Sequence, residues 1–368
     1  MKLTPKVCLC VIAKDEEDCI AACLQSAAGL VQDIVLVDTG SSDRTVGLAA
    51  GFGARTLFFK WNGDFAAARN FGLGEARGEW VLVLDADEVL APVDPTSFGR
   101  LLTAPTVEGY FVTIRSLLGT GADETCDYVV RLFRNKPEYR FTGVIHEQVA
   151  GSIKRHAGTG ALATSGITII HNGYLQGKIT AKAKRERNIG IINQALTDTP
   201  QDPFLLYSLG IEYTQIGDFS KGNELLMAAL VRLKGEEGYF RRLIITLGFG
   251  LLQTGEQDRL TWLLDKALLM FPSDPDLLLL RGMAAMRAGR WQAAADGLRQ
   301  ALAAEKDLIL PLHYVQAILG DALHFAGCCD QAEVAYEAAG RLAPHWPYPR
   351  ENLLRLQQHS AAGKAGGL

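Results

Sequence analysis

The stretch from residue 61 to residue 88, WNGDFAAARNFGLGEARGEWVLVLDADE, contains one helix signal followed by one strand signal. Asp64 is of a residue type that caps helices, and we expect it to begin a helix over Phe65–Ala76, which ends before Gly78. The apolar run Val81–Leu84 is typical of a buried strand. A helix that leads directly into a buried strand indicates alternating α/β architecture.

Short apolar runs of the same kind occur throughout the N-terminal half. They are Val7–Ala13, Ile34–Val37, Val81–Leu84, Tyr110–Ile114, Val129–Phe133 and Ile167–Ile170. Helical patterns separate the first three runs, one over Asp15–Ser26 and another that is capped by Ser41 or Ser42 and continues through Ala50. The resulting βαβαβ order predicts a right-handed, doubly wound α/β sheet that is covered on both faces.

From about residue 199 the strand signals stop and a helical repeat begins. Its landmarks are Leu209-Gly210, Leu247-Gly248, Arg281-Gly282 and Leu319-Gly320, at intervals of 38, 34 and 38 residues. A large residue stands 16 positions after each glycine and an alanine 19 positions after it, namely Leu226, Leu264, Leu298 and Tyr336, and Ala229, Ala267, Ala301 and Ala339. The pattern resembles the tetratricopeptide repeat and predicts about four copies, an unrelated helical bundle being the alternative.

The composition excludes several classes of protein. With 368 residues, 48% of them hydrophobic and 21% charged, and a net charge of −4, the chain is typical of a two-domain globular protein rather than a nucleic-acid-binding one. No run approaches the ~20 apolar residues of a membrane helix, and Val7–Ala13 is too short for a secretory signal, so we expect a cytoplasmic protein. The seven cysteines lack paired zinc-site spacing and are interpreted as small buried apolar residues.

Acidic residues follow the first three predicted strands. Glu16 comes after the first, Asp38 ends the second, and Asp85 and Asp87 end the third. Ligands of open α/β sheets bind outside the carboxyl ends of the strands. Because residues two apart at a strand end project to the same side, Asp85 and Asp87 can face one cation, and oxygen ligands suit Mg²⁺ or Mn²⁺ together with substrate phosphates. The pair therefore predicts a metal–diphosphate site, and a turn or helix cap is its alternative role.

The segments DIVLVDTGSSDRT (33–45) and 61–88 together resemble the nucleotide-sugar half of a family 2 glycosyltransferase with the GT-A fold. Within that family they are most similar to the β-1,4-glucosyltransferase-like and sublancin S-glycosyltransferase-like subgroup. Some members of this subgroup carry tetratricopeptide repeats and others glycosylate peptides. The family more often has asparagine where this chain has Asp15, which leaves the role of that position open.

The resemblance implies a role for each matching residue. Asp38 is expected to contact the uracil or ribose, with Glu16 beside the nucleoside and Arg69 reaching the base or the diphosphate. Asp85 is expected to meet the ribose or metal-bound water, whereas Asp87 binds the metal directly. For Arg69, an exposed position on a helix surface is the alternative.

A second set of residues lies downstream, in the pieces GVIHE (143–147) and HNGY (171–174), which also resemble the subgroup. Inverting transfer needs a base that removes the proton of the acceptor, and Glu147 is the candidate. Its alternative role is an ion pair with Arg131 or Arg134.

His171 could complete the metal ligands, with Asn172 and Tyr174 near the sugar. A structural, hydrogen-bonded histidine is the alternative, and His146 is a competing metal ligand.

These observations predict an inverting glycosyltransferase that uses Mn²⁺ or Mg²⁺ and moves a hexose from a UDP-sugar to a peptide or protein acceptor held by the repeats. A cell-surface glycan is the second candidate acceptor, and a non-catalytic repeat scaffold is the alternative of another class. A homodimer through the repeats is a further option. The expected segments are a GT-A catalytic domain (1–177), a basic linker helix (178–198), the repeats (199–360) and a flexible tail (361–368).

Overall fold

The computed structural model describes residues 5–118, 123–171, 178–235, 237–304 and 308–365. The chain divides into two compact units, Met1–Asp198 and Thr199–Leu368. The expected linker is a helix that belongs to the first unit, since this unit extends to Asp198. The last helix continues to Ala365, beyond the start of the expected tail at residue 361.

The described part of the first unit forms an eight-stranded sheet in the order β3-β2-β1-β4-β7-β6-β8-β5. The strands are β1 Val7–Ala13, β2 Asp33–Asp38, β3 Arg55–Phe58, β4 Trp80–Asp85, β5 Glu88–Leu90, β6 Gly109–Leu118, β7 Asp123–Arg134 and β8 Leu162–His171. The first four in spatial order are parallel, and β7 pairs antiparallel with β4. All six predicted strands are present, and the fold class is the α/β one predicted from the sequence.

Helices cover both faces of this sheet. They are α1 Ile20–Ala27, α2 Thr45–Gly51, α3 Phe65–Glu75, α4 Pro95–Leu102 and α5 Ala150–Ala157, and a further helix, α6 Lys178–Asp198, ends the unit. Alternate residues of β1 enter two different cores: Leu9 packs with α1 and α4, whereas Cys10 packs with α3 and α5. Burial on both faces explains why the strands consist of continuous apolar runs. It also explains Cys8, Cys10 and Cys23, which are buried as expected, although Cys126 and Cys329 are exposed.

The structure corrects two helix starts. The helix expected over Asp15–Ser26 begins only at Ile20. The helix expected to be capped by Ser41 or Ser42 begins at Thr45, because both serines bond to the loop after β1 instead. Asp64 caps α3 as predicted, accepting a 2.9 Å hydrogen bond from the Ala67 N–H.

The second unit is all-helical. Its helices are α7 Pro203–Gln215, α8 Phe219–Leu230, α9 Phe240–Thr254, α10 Gln257–Met270, α11 Pro275–Arg287, α12 Trp291–Ala303, α13 Leu312–Phe325, α14 Cys329–Leu342 and α15 Pro347–Ala365. Those from α7 to α14 follow one another as pairs, which confirms the predicted repeat. No described helix has both the length and the apolar character needed to cross a bilayer.

The repeat glycines let the two helices of a pair approach closely. A Cβ atom on Gly210 would lie 2.7 Å from Leu226, and one on Gly320 would lie 2.6 Å from the Tyr336 ring. The large residue 16 positions later therefore fills the space that a side chain would need. The copy at Gly248 differs, because Leu280 of α11 takes that place at 2.8 Å instead of Leu264.

Candidate functional site

The loops that follow β1 and β2 are bonded to each other at the carboxyl edge of the sheet. Asp15 has a φ of 52° and accepts hydrogen bonds from the Ser42 N–H at 2.7 Å and its hydroxyl at 3.1 Å. The Glu16 N–H donates to the Thr45 hydroxyl at 2.8 Å. A left-handed backbone position favours Asp and Asn among the non-glycine residues, since their short side chains bond locally. This accounts for aspartate at a position where asparagine is more usual.

Asp38 ends β2 and is buried, with 3% of its surface exposed. Its carboxylate accepts hydrogen bonds from the N–H groups of Gly40 at 3.1 Å and Ser41 at 3.2 Å. This is an Asx turn, which fixes the direction of the loop after the strand. Asp38 and Glu16 therefore lie on two adjacent loops, where the sequence predicted a nucleoside contact.

A chain of alternating charges crosses the end of β4, and we call Glu147, Arg69, Asp85, Arg131 and Glu88 the ion network. Arg69 donates from Nε to Glu147 Oε1 and from Nη2 to Asp85 Oδ1, both at 2.5 Å. Arg131 donates from Nη2 to Asp85 Oδ2 at 2.9 Å and to Glu88 Oε1 at 3.1 Å. Asp85 is thus held on both carboxylate oxygens by arginines from two different elements.

The environment shifts the pKa values of Asp85, Glu88 and Arg69 within the network. Burial alone would raise the pKa of Asp85, but Arg131 and Arg69 hold it well below its usual range. Burial raises the pKa of Glu88, and the negative charge of Asp85 adds to that effect although Arg131 opposes it. Burial would lower the pKa of Arg69, yet Asp85 and Glu147 raise it further above its already high value. Opposite charges in a poorly solvated site keep each other ionised.

Asp87 and His171 form a second pair beside the network. Asp87 Oδ2 lies 3.3 Å from His171 Nε2, and His171 Nδ1 lies 3.4 Å from the Ser116 hydroxyl. Burial would lower the pKa of His171, but its bond to Asp87 raises it. In the described ranges no group of three or more histidine, cysteine or acidic side chains is arranged to hold a metal. Any cation here would have two protein ligands and would depend on its substrate for the rest.

The loop that carries Glu147 is anchored to α3. Asn70 bonds to both backbone groups of Phe141, accepting from its N–H at 2.8 Å and donating to its carbonyl at 2.9 Å. The Phe65 N–H donates to the Val144 carbonyl at 2.9 Å. His146, two residues after Val144, is exposed and has a left-handed φ of 52°. The segment FAAARN therefore holds a second loop in place, in addition to supplying Arg69.

Several expectations about single residues are changed by these contacts. Arg69 is only 7% exposed, so its interpretation as a surface arginine is wrong. The ion-pair partner of Glu147 is Arg69, whereas Arg131 binds Asp85 and Glu88. Asn172 and Tyr174, which the sequence placed near the sugar, lie outside the described residues.

Sequence reasoning missed Glu88 as a member of the site. It is 2% exposed, and its Oε2 accepts a 2.8 Å hydrogen bond from the Asp85 N–H. The available signal was its position: a carboxylate three residues after Asp85, in a chain segment otherwise made for burial, needs a cation nearby. Arg131 provides it from β7, the strand that pairs with β4.

Residues 8–115 match the family model described as glycosyl transferase family 2. A TPR repeat-containing protein of Synechococcus elongatus is 32% identical over 257 residues, which cover 69% of this chain and 63% of that protein. The SPbeta prophage-derived glycosyltransferase SunS of Bacillus subtilis is 25% identical over 270 residues, which cover 71% of this chain and 62% of SunS. The chain thus spans slightly less than two thirds of the length of these two relatives.

Solved structures with low identity also match part of the chain. The APC/C hetero-tetramer Cut9-Hcn1 has a TM-score of 0.41 and 19% identity, covering 49% of this chain and 34% of that chain. A MamA protein has a TM-score of 0.38 and 19% identity, covering 45% of this chain and 86% of that chain.

Proposed function

We propose that this chain, whose N-terminal unit carries a family 2 glycosyltransferase domain, transfers a hexose from a UDP-sugar to an acceptor in a metal-dependent, inverting reaction. The observation that carries the proposal is the meeting of Asp87 and His171. They are 84 residues apart in the chain, yet their side chains lie 3.3 Å apart beside the carboxyl end of β4. A carboxylate and an imidazole in this position can bind one cation that also binds a diphosphate.

The residues present fit Mn²⁺ or Mg²⁺. Asp87 supplies a carboxylate oxygen and His171 a ring nitrogen, whose orientation is supported by Ser116 on the other side of the ring. A metal bound here would stabilise the charge that develops on the departing nucleoside diphosphate. Asp85, which the sequence also assigned to the metal, has both oxygens bonded to arginines, so we assign it to positioning those arginines.

Arg69 is the best candidate in the network for a contact to the donor. Its Nη1 atom is buried and has no hydrogen-bond partner, although Nε and Nη2 are both bonded. An unpaired buried donor costs about 1–3 kcal/mol, and an oxygen of the diphosphate or ribose would satisfy it. Asp38 and Glu16, on the loops after β2 and β1, remain our candidates for the nucleoside.

Glu147 is our candidate base for the acceptor hydroxyl. Arg69 orients its carboxylate through Oε1, and the hydrogen bonds of the described residues engage only that oxygen. The second oxygen is therefore the one proposed to accept the proton. Anchoring of the loop by Asn70 holds the base in place relative to α3.

For the acceptor, the sequence favours a peptide bound by the repeats, with a glycan as the second candidate. A homodimer formed through the repeats and a cytoplasmic location are further parts of the proposal that rest on the sequence alone. The alternative of another class, a non-catalytic scaffold, predicts that the N-terminal unit binds no nucleotide sugar.

The first test compares Asp87→Asn with Asp94→Asn. Asp94 caps α4 by accepting from the Ser97 N–H, and asparagine caps helices equally well, so this control preserves the fold. In calorimetric titrations, the parent and the control should bind UDP in the presence of Mn²⁺, and a chelator that removes the metal should weaken this binding. Asp87→Asn should bind UDP at least about tenfold more weakly, and the chelator should not weaken its binding further. Metal-dependent binding that survives unchanged in Asp87→Asn would show the metal assignment to be wrong.

The second test compares Glu147→Gln with the exposed control Glu75→Gln. A general base is needed for turnover but not for donor binding, so Glu147→Gln should bind the UDP-sugar normally and turn over about 100-fold more slowly. Equal losses of donor affinity and turnover would instead assign Glu147 a purely structural role as the partner of Arg69.

A further inference from the structure

The C-terminal unit contains a cleft of about 480 Å³, within the range of ligand pockets. Helices α11 to α15 contribute to it, and its lining includes Trp291, Asp321, Phe325, Tyr348 and Arg355. None of these five residues belongs to the repeat signature; Tyr336, which also lines the cleft, does belong to it and packs against Gly320. The repeat pattern therefore does not account for the chemistry of the cleft.

Asp321 is a partly buried carboxylate in this cleft. It accepts hydrogen bonds from the Tyr336 hydroxyl at 2.6 Å and the Tyr348 hydroxyl at 2.9 Å. Burial raises its pKa. Among the described residues it forms no ion pair with a lysine or arginine, and its hydrogen bonds come from the two tyrosine hydroxyl groups. A carboxylate in this situation can accept further hydrogen bonds from a ligand.

His324 provides a second group that lacks a partner. It lies one helical turn after Asp321 on α13, and its Nδ1 atom is buried without a hydrogen bond in the part of the chain that the structure describes. Unpaired buried polar atoms are rare in native proteins and need an explanation such as a ligand or water. The cleft lined by this same histidine offers room for one.

Aromatic rings form the apolar part of the cleft. Trp291 stacks on Phe325 with ring centroids 4.7 Å apart, and Phe325 remains 60% exposed. Tyr348 stacks on Trp346 at 5.3 Å and is 37% exposed. Flat aromatic faces left open to solvent beside polar groups suit a ligand that is apolar on one face and polar around its edge.

The charges of the cleft have both signs. Arg287 and Arg355 are exposed and line the same cleft as Asp321. An anionic ligand would pair with the arginines but repel Asp321, and a cationic ligand would do the reverse. A hydroxyl group both donates and accepts, so an array of hydroxyls satisfies Asp321, His324 and the guanidinium groups together.

We propose that this cleft binds a neutral oligosaccharide, with the C–H face of a sugar ring on Phe325 or Tyr348 and its hydroxyls bonded to Asp321, His324 and Arg355. Binding itself does not depend on the transferase activity. Assigning the bound saccharide to the acceptor does rest on the proposed function, and it would make the acceptor a glycan rather than a peptide.

The test titrates the full chain with neutral hexasaccharides, a β-1,4-linked glucan, an α-1,4-linked glucan and a β-1,3-linked glucan, followed by calorimetry and by tryptophan fluorescence. Phe325→Ala and Arg355→Ala remove an exposed ring and an exposed cation, so both variants should fold. Trp262→Ala removes a 50% exposed ring on α10, outside the cleft, and is the matched control. We expect at least one hexasaccharide to bind, with affinity reduced about tenfold in both cleft variants and unchanged in the control.

Failure of all three saccharides to bind at millimolar concentration, or equal affinity in parent and cleft variants, would overturn the proposal. Binding of a peptide library in the cleft without saccharide binding would also overturn it and restore the peptide acceptor. Titration of the same samples with UDP and Mn²⁺ separates the two proposals. If the parent chain binds a saccharide but no nucleotide, the transferase proposal is contradicted; if it binds the nucleotide but no saccharide, the cleft proposal is contradicted.

Discussion

Replacing Arg69 by methionine is the most direct test of the ion network. Methionine has a similar length and no charge, so the change removes the cation from between Glu147 and Asp85 with little loss of packing. Arg69 is 7% exposed and the Glu147 side chain 9%, so the pair is shielded from water. Asp85 keeps Arg131 as a partner, whereas Glu147 is left as a buried carboxylate without a cation.

The magnitude follows from this asymmetry. Removing one partner of a buried ion pair destabilises a protein by about 3–5 kcal/mol. Because Asp85 is 36% exposed and retains Arg131, the cost comes mainly from Glu147 and should lie near the lower value, about 3 kcal/mol. For a folding unit of this size, that corresponds to a decrease in melting temperature of about 6–12 °C.

The assay should report the N-terminal unit alone, since the two units can unfold separately. Hydrogen exchange measured by mass spectrometry on peptides spanning 80–90 and 141–148 gives a local free energy of opening. Arg77→Met is the control, since Arg77 is exposed and its change should stay within about 0.5 kcal/mol.

A double variant determines whether the loss of stability in Arg69→Met arises from Glu147, the carboxylate that is left without a cation. Arg69→Met combined with Glu147→Gln should be less destabilised than the sum of the single variants, by about 1–2 kcal/mol. If the two effects add, or if Arg69→Met costs less than about 1 kcal/mol, the network does not couple these residues and its description as a unit is wrong.

Two further predictions concern other parts of the chain. Gly320→Ala should destabilise the C-terminal unit by about 1–3 kcal/mol in urea denaturation, because its Cβ would lie 2.6 Å from the Tyr336 ring, whereas Gly238→Ala, which has open space, should have no such effect. Burial alone would raise the pKa of Asp33, but the hydrogen bonds from Arg55 and other donors lower it. Asp33→Asn should therefore lower the free energy of unfolding by its full amount above about pH 5. The difference from the parent should shrink as the pH falls below about 3.9, the pKa of an unfolded aspartate, toward the lower pKa of the folded protein. A difference that grew in acid would contradict this.

Two of the strands that the sequence predicted, β1 and β4, are buried on both faces. Val7–Ala13 and Trp80–Asp85 carry almost nothing but apolar residues, and this composition reports their central position in the sheet. The edge strand β3, Arg55–Phe58, escaped prediction because it is short and its side chains are partly exposed. The three-residue strand β5 was not predicted, because it begins at Glu88, the last residue of the acidic segment that was assigned to metal binding.

Three residues of the ion network were candidate site residues from the sequence, but neither Glu88 nor the pairing of the charges was predicted. Strand ends and family motifs indicated Asp85, Arg69 and Glu147, since each stands at a position where chemistry is expected. Their partners depend on how distant segments meet: Arg69 binds residues 16 and 78 positions away, and Arg131 lies 46 positions from Asp85. No local spacing encodes such contacts, so the roles of carboxylates as ligand, base or ion-pair partner had to stay open.

The antiparallel pairing of β4 with β7 determines how long a fragment of this chain must be to keep the contacts around Asp85 and Asp87. The family match stops at residue 115, before β7 and β8 begin. A fragment of that length would leave one edge of β4 without a neighbour and would deprive Asp85 of Arg131 and Asp87 of His171. A segment that keeps all these contacts therefore runs at least from Val7 to His171, and it is longer than the segment that matches the family model.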